Sequence, residues 1–111
     1  MKKFVVIYFA PPGAFEGVKD MSPEEMKEGM KPWVAWMEKC GDGLVDKGAP
    51  LANGQKVNKS GGGPSEKEVA GYSILQADDM EGAKAMLEGH PHLDWAEGCE
   101  IEVYEVMPMP H

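Results

Sequence analysis

The 111 residues suffice for one hydrophobic core, and we expect residues 1–111 to form a single domain. Nineteen acidic residues stand against eleven basic ones, all Lys, for a net charge of −8. Nucleic-acid binding needs clustered cations and Arg in particular, so we expect no nucleic-acid partner. A bilayer span needs about 18 consecutive apolar residues, and since no run of that length occurs we expect no membrane segment.

The first predicted strand, residues 3–9, is apolar on both faces. The two alternating sets are Val5, Ile7 and Phe9 on one face and Phe4, Val6 and Tyr8 on the other. A strand of this kind is typical of the middle of a sheet that is covered on both sides.

A helix is predicted from Ser22 to about Gly41. Ser22 is its N-cap, Pro23 takes the first helical position and Glu25 closes a capping box. Pro32 removes one backbone hydrogen bond, so we expect a kink within one helix. The apolar stripe steps by four and three residues and predicts one buried face: Met26, Met30, Trp33, Met37 and Cys40.

The rest of the chain reads as a turn-rich segment and a second half like the first. A strand at 44–51 is followed by Asn53-Gly54, which favours a hairpin turn with a short returning strand at 55–58. The glycine run at 60–65 lacks the Lys-Ser/Thr and the following helix of a phosphate loop and is interpreted as a flexible hairpin connection. The second half is predicted to contain a strand at 69–76, a helix at 80–88 ending at Gly89, and a strand at 100–106.

The order β-α-β, hairpin, β-α-β predicts an α+β fold of the ferredoxin-like βαββαβ kind. Its four-stranded antiparallel sheet carries both helices on one face. Since the first strand is apolar on both faces, we expect a second copy to cover the other face in a homodimer.

The two cysteines indicate the redox compartment. Cys40 and Cys99 lie far apart and in no CxxC or zinc spacing, and no secretory signal is recognised at the start. We therefore expect reduced thiols and a cytoplasmic location.

Motifs along nearly the whole chain resemble the YCII-related proteins, specifically the DGPF-type branch. The segments that carry the resemblance are Ser22–Met26, Trp33–Met37, Gly48–Leu51, Gly71–Ile74, Ala77–Met80 and His90–Leu93. The resemblance implies a dimeric α/β barrel and enzymatic activity. It also implies an acid–base pair, a His on the first helix and an Asp after the second, but those positions fall on about Lys31 and on His90. Gly62–Ser65 stands where the branch has Asp-Gly-Pro-Phe.

The remaining candidates for chemistry cluster after the second helix. His90, His92 and Asp94 alternate there, and an imidazole near a carboxylate and a helix C-terminus is typical of an acid–base site. Three metal ligands are a second interpretation, although no distant Cys or His adds a fourth. Capping and packing are a third.

Aromatic residues are the candidates for binding a substrate. Trp36 lies off the helical stripe that contains Trp33, so we expect Trp36 to line a cleft or the dimer contact. Tyr8 and Tyr72 lie on strands, where a hydroxyl can reach a cavity between two sheets.

Two classes of function follow. The first is a cofactor-free lyase or isomerase acting on a small molecule, with His90 or His92 as the base and Lys31 stabilising an anionic intermediate. The second is a non-catalytic module that binds a small molecule in the same cavity.

Overall fold

A computed structural model describes residues 1–11, 21–95 and 97–108. These residues form six β-strands and two α-helices, with short 3₁₀ helices at Gly41–Gly43 and Pro91–Asp94. In chain order the elements are β1 (Lys2–Phe9), α1 (Pro23–Cys40), β2 (Leu44–Pro50), β3 (Gln55–Asn58), β4 (Gly61–Pro64), β5 (Val69–Ala77), α2 (Met80–Met86) and β6 (Glu100–Glu105). In the described residues, no helix is long and apolar enough to cross a membrane.

The four longer strands form one antiparallel sheet in the order β2-β5-β1-β6. The central strand β1 pairs with β5 on one side and with β6 on the other. With α1 between β1 and β2, and α2 between β5 and β6, this is the ferredoxin-like arrangement. The predicted α+β fold class is confirmed.

The helices cover one face of the sheet. Phe4, Val6 and Tyr8 are buried on that face, where Trp36 of α1 and Ala83 of α2 pack against the sheet. The opposite set of β1 residues is only half-buried: Val5, Ile7 and Phe9. The predicted central position of β1 is confirmed. We call the second side the open face, and its cover by a second copy stays a prediction.

Helix α1 begins and ends where local signals place it. The Ser22 hydroxyl accepts a hydrogen bond from the Glu25 backbone N–H at 3.1 Å, and Glu25 Oε1 accepts from that hydroxyl at 3.2 Å. At the other end Gly41 adopts a φ of +53° and donates its N–H to the Met37 carbonyl. Residues 23–40 form one continuous helix through Pro32, as predicted.

The predicted buried face of α1 is only half right. Trp33, Met37 and Cys40 pack against the core, but Met26 and Met30 are 44% and 49% exposed. The side chain of α1 that is buried is Trp36, which lies off the predicted stripe. Residues 22–30 are all exposed, so the periodic pattern there does not correspond to a packed surface.

The glycine run differs from its prediction. Gly61–Pro64 forms β4, which pairs with β3 in a separate two-stranded hairpin. The turn of this hairpin is Lys59-Ser60, stabilised by Asn58 Oδ1 accepting from the Ser60 N–H at 2.9 Å, and not Asn53-Gly54. Helix α2 also ends earlier than predicted, at Met86.

Candidate active site

Aromatic rings from three segments meet on the helix side of the sheet. Tyr8 comes from β1, Trp33 and Trp36 come from α1, and His90 and His92 follow α2; we call these five residues the aromatic cluster. The ring centroid of His90 lies 4.3 Å from that of Trp36, 4.6 Å from Trp33 and 5.0 Å from Tyr8. His90 therefore packs against three of the other four rings of the cluster.

Local backbone geometry turns His90 toward the sheet. Gly89 adopts a φ of +70°, which only glycine takes at no steric cost, and the His90 N–H donates to the Leu87 carbonyl at 3.2 Å. Pro91 then starts the 3₁₀ helix with its fixed φ.

The hydrogen bonds of His90 define its tautomer. Its Nδ1 accepts the backbone N–H of His92 at 2.9 Å, so the proton of the neutral ring is on Nε2. The residue is fully buried, and Nε2 has no partner among the described residues. Burial, with a smaller contribution from the charge of His92, lowers the pKa of His90 to about 4. At neutral pH His90 is a neutral hydrogen-bond donor that has no acceptor among residues 1–11, 21–95 and 97–108.

His92 joins the 3₁₀ helix to the central strand. Its Nε2 lies 2.8 Å from the Phe9 carbonyl oxygen, which can only accept, so Nε2 carries a proton. In the neutral ring Nδ1 is then the basic atom.

Tyr8 is held as a neutral phenol. Ser73 donates its hydroxyl to the Lys47 carbonyl at 2.8 Å, so the Tyr8 hydroxyl, 2.7 Å away, donates to Ser73 Oγ. Burial raises the pKa of Tyr8 to about 12. The hydroxyl fixes the ring beside the two histidines and is not directed to solvent.

Trp36 joins the two helices. Its Nε1–H donates to the Met86 carbonyl at the end of α2 at 2.8 Å. Trp33 lies beside it on α1 and is only half-buried, with its ring edge-on to that of Tyr8 at 5.4 Å. Trp33 is thus the member of the aromatic cluster nearest to solvent.

A groove of about 560 Å³ runs between α1 and residues 88–95, and we call it the indole groove. This volume lies in the range of small-molecule sites. Its charged and aromatic lining residues are Trp33, Trp36, Trp95, Lys39, Glu88 and Asp94.

A family model, the YCII-related domain, matches residues 3–110. The chain belongs to the YCII-related family. No curated protein matches the sequence.

Two solved structures are similar to this YCII-related protein. One is a 5-chloro-2-hydroxyhydroquinone dehydrochlorinase from Burkholderia phenoliruptrix in complex with 2,5-dihydroxybenzoquinone. It is 12% identical, with 90% of each chain covered and a TM-score of 0.53. The other is the protein At3g17210 from Arabidopsis thaliana, 11% identical over 100% of this chain and 98% of the other, with a TM-score of 0.46.

The structure brings some of the predicted site residues together. His90, His92, Tyr8 and Trp36 belong to the aromatic cluster, and Asp94 lines the indole groove beside it.

Two predicted site residues lie elsewhere. The side chain of Lys31 is 71% exposed and pairs with Glu28 at 2.9 Å, outside the lining of the groove. Tyr72 pairs with Ile7 and therefore projects from the open face of the sheet, the side on which a cavity between two sheets was expected. The same expectation is wrong for Tyr8, which is buried on the helix side.

Residues 90–94 do not form part of a set of metal ligands in the described part of the chain. Among residues 1–11, 21–95 and 97–108, no group of three His, Cys, Asp or Glu side chains could hold a metal ion. Nδ1 of His90 accepts from a backbone N–H, and the protonated Nε2 of His92 points to a carbonyl.

Sequence reasoning missed Trp95 and Ser73. Trp95 lines the indole groove from an irregular segment with no periodic pattern. Ser73 is buried on β5, and its partner Tyr8 is 65 residues away. A lone buried polar residue in an apolar strand was the available signal for Ser73.

Proposed function

We propose that this YCII-related protein is a cofactor-free enzyme of the lyase or isomerase type, acting on a small enolisable substrate in the indole groove. The observation that carries the proposal is the unpartnered Nε2–H of the fully buried His90. Leaving such a donor unsatisfied costs about 1–3 kcal/mol, and groups of this kind concentrate at functional sites. A substrate oxygen is the acceptor that the donor lacks.

His90 serves this role as a donor and not as a base. Its Nδ1 lone pair accepts the His92 N–H, and a pKa of about 4 makes the ring a weak base at neutral pH. A neutral imidazole donor stabilises an enolate oxygen as that oxygen gains charge.

His92 supplies the base in this proposal. Its Nδ1 takes a proton from the carbon next to the substrate carbonyl, so that a C–H bond breaks, an N–H bond forms and the electron pair becomes an enolate. Return of the proton to another carbon completes an isomerisation; departure of a leaving group completes an elimination.

Neither His90 nor His92 is among the described lining residues of the indole groove, so a substrate in the groove reaches them only after a movement. Both rings are buried, and the half-buried Trp33 contacts both of them, at 4.6 Å from His90 and 6.4 Å from His92 between ring centroids. We propose that the Trp33 indole moves aside when substrate binds, which opens a path from the groove to the two histidines.

The comparisons support a small-molecule site in this fold. The dehydrochlorinase that shares the fold was solved with 2,5-dihydroxybenzoquinone, a compact molecule with carbonyl and enol oxygens. At 12% identity, the likeness to this dehydrochlorinase shows a shared fold alone. The reaction proposed for this chain therefore rests on the geometry of His90 and His92.

The test is exchange of carbon-bound protons. The protein is incubated in D₂O with a panel of small ketones, oxo acids and 2,5-dihydroxybenzoquinone, and loss of the C–H signals is followed by NMR. We expect exchange above the buffer rate for at least one compound, and a loss of about 10²-fold in His90→Asn and in His92→Gln. Lys31→Ala, whose side chain lies outside the groove, is the matched control and should keep full activity.

Two results of this experiment would contradict the proposed function. If panel compounds bind without any exchange, the enzyme proposal is wrong, and the alternative of a non-catalytic binding module takes its place. If Lys31→Ala loses activity as His90→Asn does, the assignment of roles is wrong.

We further propose that a second copy covers the open face in a homodimer. Val5, Ile7, Phe9 and Ile74 form an apolar surface there, since Ile74 pairs with Val5 across the sheet. Light scattering after size-exclusion chromatography should give a dimer mass, and Ile7→Glu should give a monomer. A cytoplasmic location is also part of the proposal, supported by the unpaired cysteines Cys40 and Cys99.

A further inference from the structure

All three tryptophans of the chain line the indole groove. Trp36 is 5% exposed and forms the floor, Trp33 is half-buried, and Trp95 is 38% exposed at the rim. The face of an indole ring carries negative electrostatic potential and attracts cations more strongly than any other side-chain ring does. A groove built from indoles therefore favours a ligand with positive charge over an uncharged one of the same shape.

The charges of the groove point the same way. Among the described lining residues, the carboxylates of Glu88 and Asp94 outnumber the single ammonium of Lys39. The whole chain carries a net charge of −8, which raises the local concentration of cations near its surface. It contains no Arg, so a forked clamp for a carboxylate or phosphate group is missing.

The walls of the groove select the kind of cation. Two carboxylates are fewer than the six or more oxygen ligands that a hard divalent ion requires. An alkylated ammonium is weakly hydrated and loses little on leaving water, and its methyl groups can pack on Pro32 and Pro91 of the lining.

We propose that the indole groove binds small molecules that carry an alkylated ammonium group, held by Trp33, Trp36 and Trp95 with Glu88 and Asp94. The inference rests on the proposed function for the location of the site and names the class of its substrate. In this arrangement the ammonium occupies the outer groove, and the enolisable part of the same molecule reaches the aromatic cluster.

The test compares choline with its uncharged isostere, 3,3-dimethylbutan-1-ol, by isothermal titration calorimetry on the intact protein. Tryptophan fluorescence gives a second readout, since every indole of the chain lines the groove. We expect choline to bind at least about tenfold more tightly than the isostere. Equal affinities for the two compounds would overturn the inference.

Charge variants separate the local effect from net charge. Asp94→Asn and Glu88→Gln should each weaken choline binding by about three- to tenfold and leave the isostere unchanged. Glu81→Gln makes the same change in net charge at an exposed pair with Lys84, outside the groove lining, and should leave choline binding within about twofold. Equal effects of Glu81→Gln and the groove variants would overturn the inference, because binding would then follow net charge alone.

An aromatic variant tests the indoles directly. Trp95→Leu keeps an apolar side chain at the rim and should weaken choline binding by about tenfold, with the isostere changed by less than about threefold. An equal loss for both compounds would mean that the indole acts only as an apolar wall, which overturns the inference.

The two proposals fail differently. Proton exchange on uncharged ketones without a preference for choline would overturn the ammonium class and leave the proposed enzyme intact. Preferred choline binding without exchange on any panel compound supports the ammonium class and overturns the enzyme.

Discussion

The replacement of His90 by Asn tests the protonation state on which the site depends. Asn places Oδ1 where His has Nδ1, so it can still accept the His92 N–H at the start of the 3₁₀ helix, a position that Asn favours. The variant loses the ring and its titration. Lost packing destabilises the protein equally at every pH, so the pH dependence of the difference in unfolding free energy reports the titration of His90 alone.

The sign and size of that dependence follow from the two pKa values. An exposed His titrates near 6.5 in the unfolded chain, whereas burial lowers the pKa of His90 to about 4 in the folded protein. As the pH falls below about 6.5 the unfolded chain takes up a proton that the folded protein does not, so stability falls until the pH reaches about 4. At pH 5.5, protonation of this histidine in the unfolded chain raises the unfolding equilibrium constant about tenfold. The free energy of unfolding falls by about 1.4 kcal/mol.

Urea unfolding of both proteins at pH 7.5 and pH 5.5 provides the measurement. These values stay above the range in which a chain of net charge −8 loses its charge and precipitates. The stability advantage of the wild type over His90→Asn should shrink by about 1.4 kcal/mol between the two conditions. A constant difference would refute the reasoning, because His90 would then titrate alike in the folded and unfolded chains.

Three further predictions concern stability, each measured by urea unfolding at pH 7.5. Gly48→Ala should cost at least about 3 kcal/mol or prevent folding, because Gly48 has a φ of +77° and an added Cβ would lie 1.7 Å from the Tyr72 carbonyl oxygen. Trp36→Phe should cost about 1–3 kcal/mol, since it leaves the Met86 carbonyl without its donor. Ser22→Ala should cost about 1 kcal/mol by removing the N-cap of α1.

Gly29 on α1 provides the control variant for Gly48→Ala. An added Cβ at Gly29 would meet no atom within 4 Å. Gly29→Ala should therefore stabilise α1 by about 0.5–1 kcal/mol through lower backbone entropy in the unfolded chain. Destabilisation of the same size in both alanine variants would show that backbone conformation is not the cause.

The elements that could be predicted from sequence depend on signals within a few residues. Ser22 and Gly41 fix the ends of α1 through their own backbone bonds, and the alternation along β1 needs only a period of two. The hairpin of β3 and β4 was predicted less well, because a run of glycines has no side-chain pattern to reveal a strand.

The sequence predicts which residues form the candidate site better than it predicts their chemical roles. Proximity of His90 and His92 to each other follows from the chain. Their tautomers depend on a backbone N–H that only a 3₁₀ turn presents and on the Phe9 carbonyl, 83 residues away. No pattern in sequence encodes these partners, so a sequence can suggest an acid–base pair without telling the base from the donor.

The resemblance places an acid–base pair at about position 31 and at position 90, and the surroundings of position 90 favour the residue found there. A carboxylate at position 90 would lie among the rings of Tyr8, Trp33 and Trp36, where an unpaired charge is strongly unfavourable and a cation is needed nearby. A neutral imidazole needs no such partner. Lys31 lies at the surface with Glu28, so the residues at positions 31 and 90 form no charged pair. A buried neutral donor at position 90 supports the proposed stabilisation of an oxyanion over proton transfer at that position.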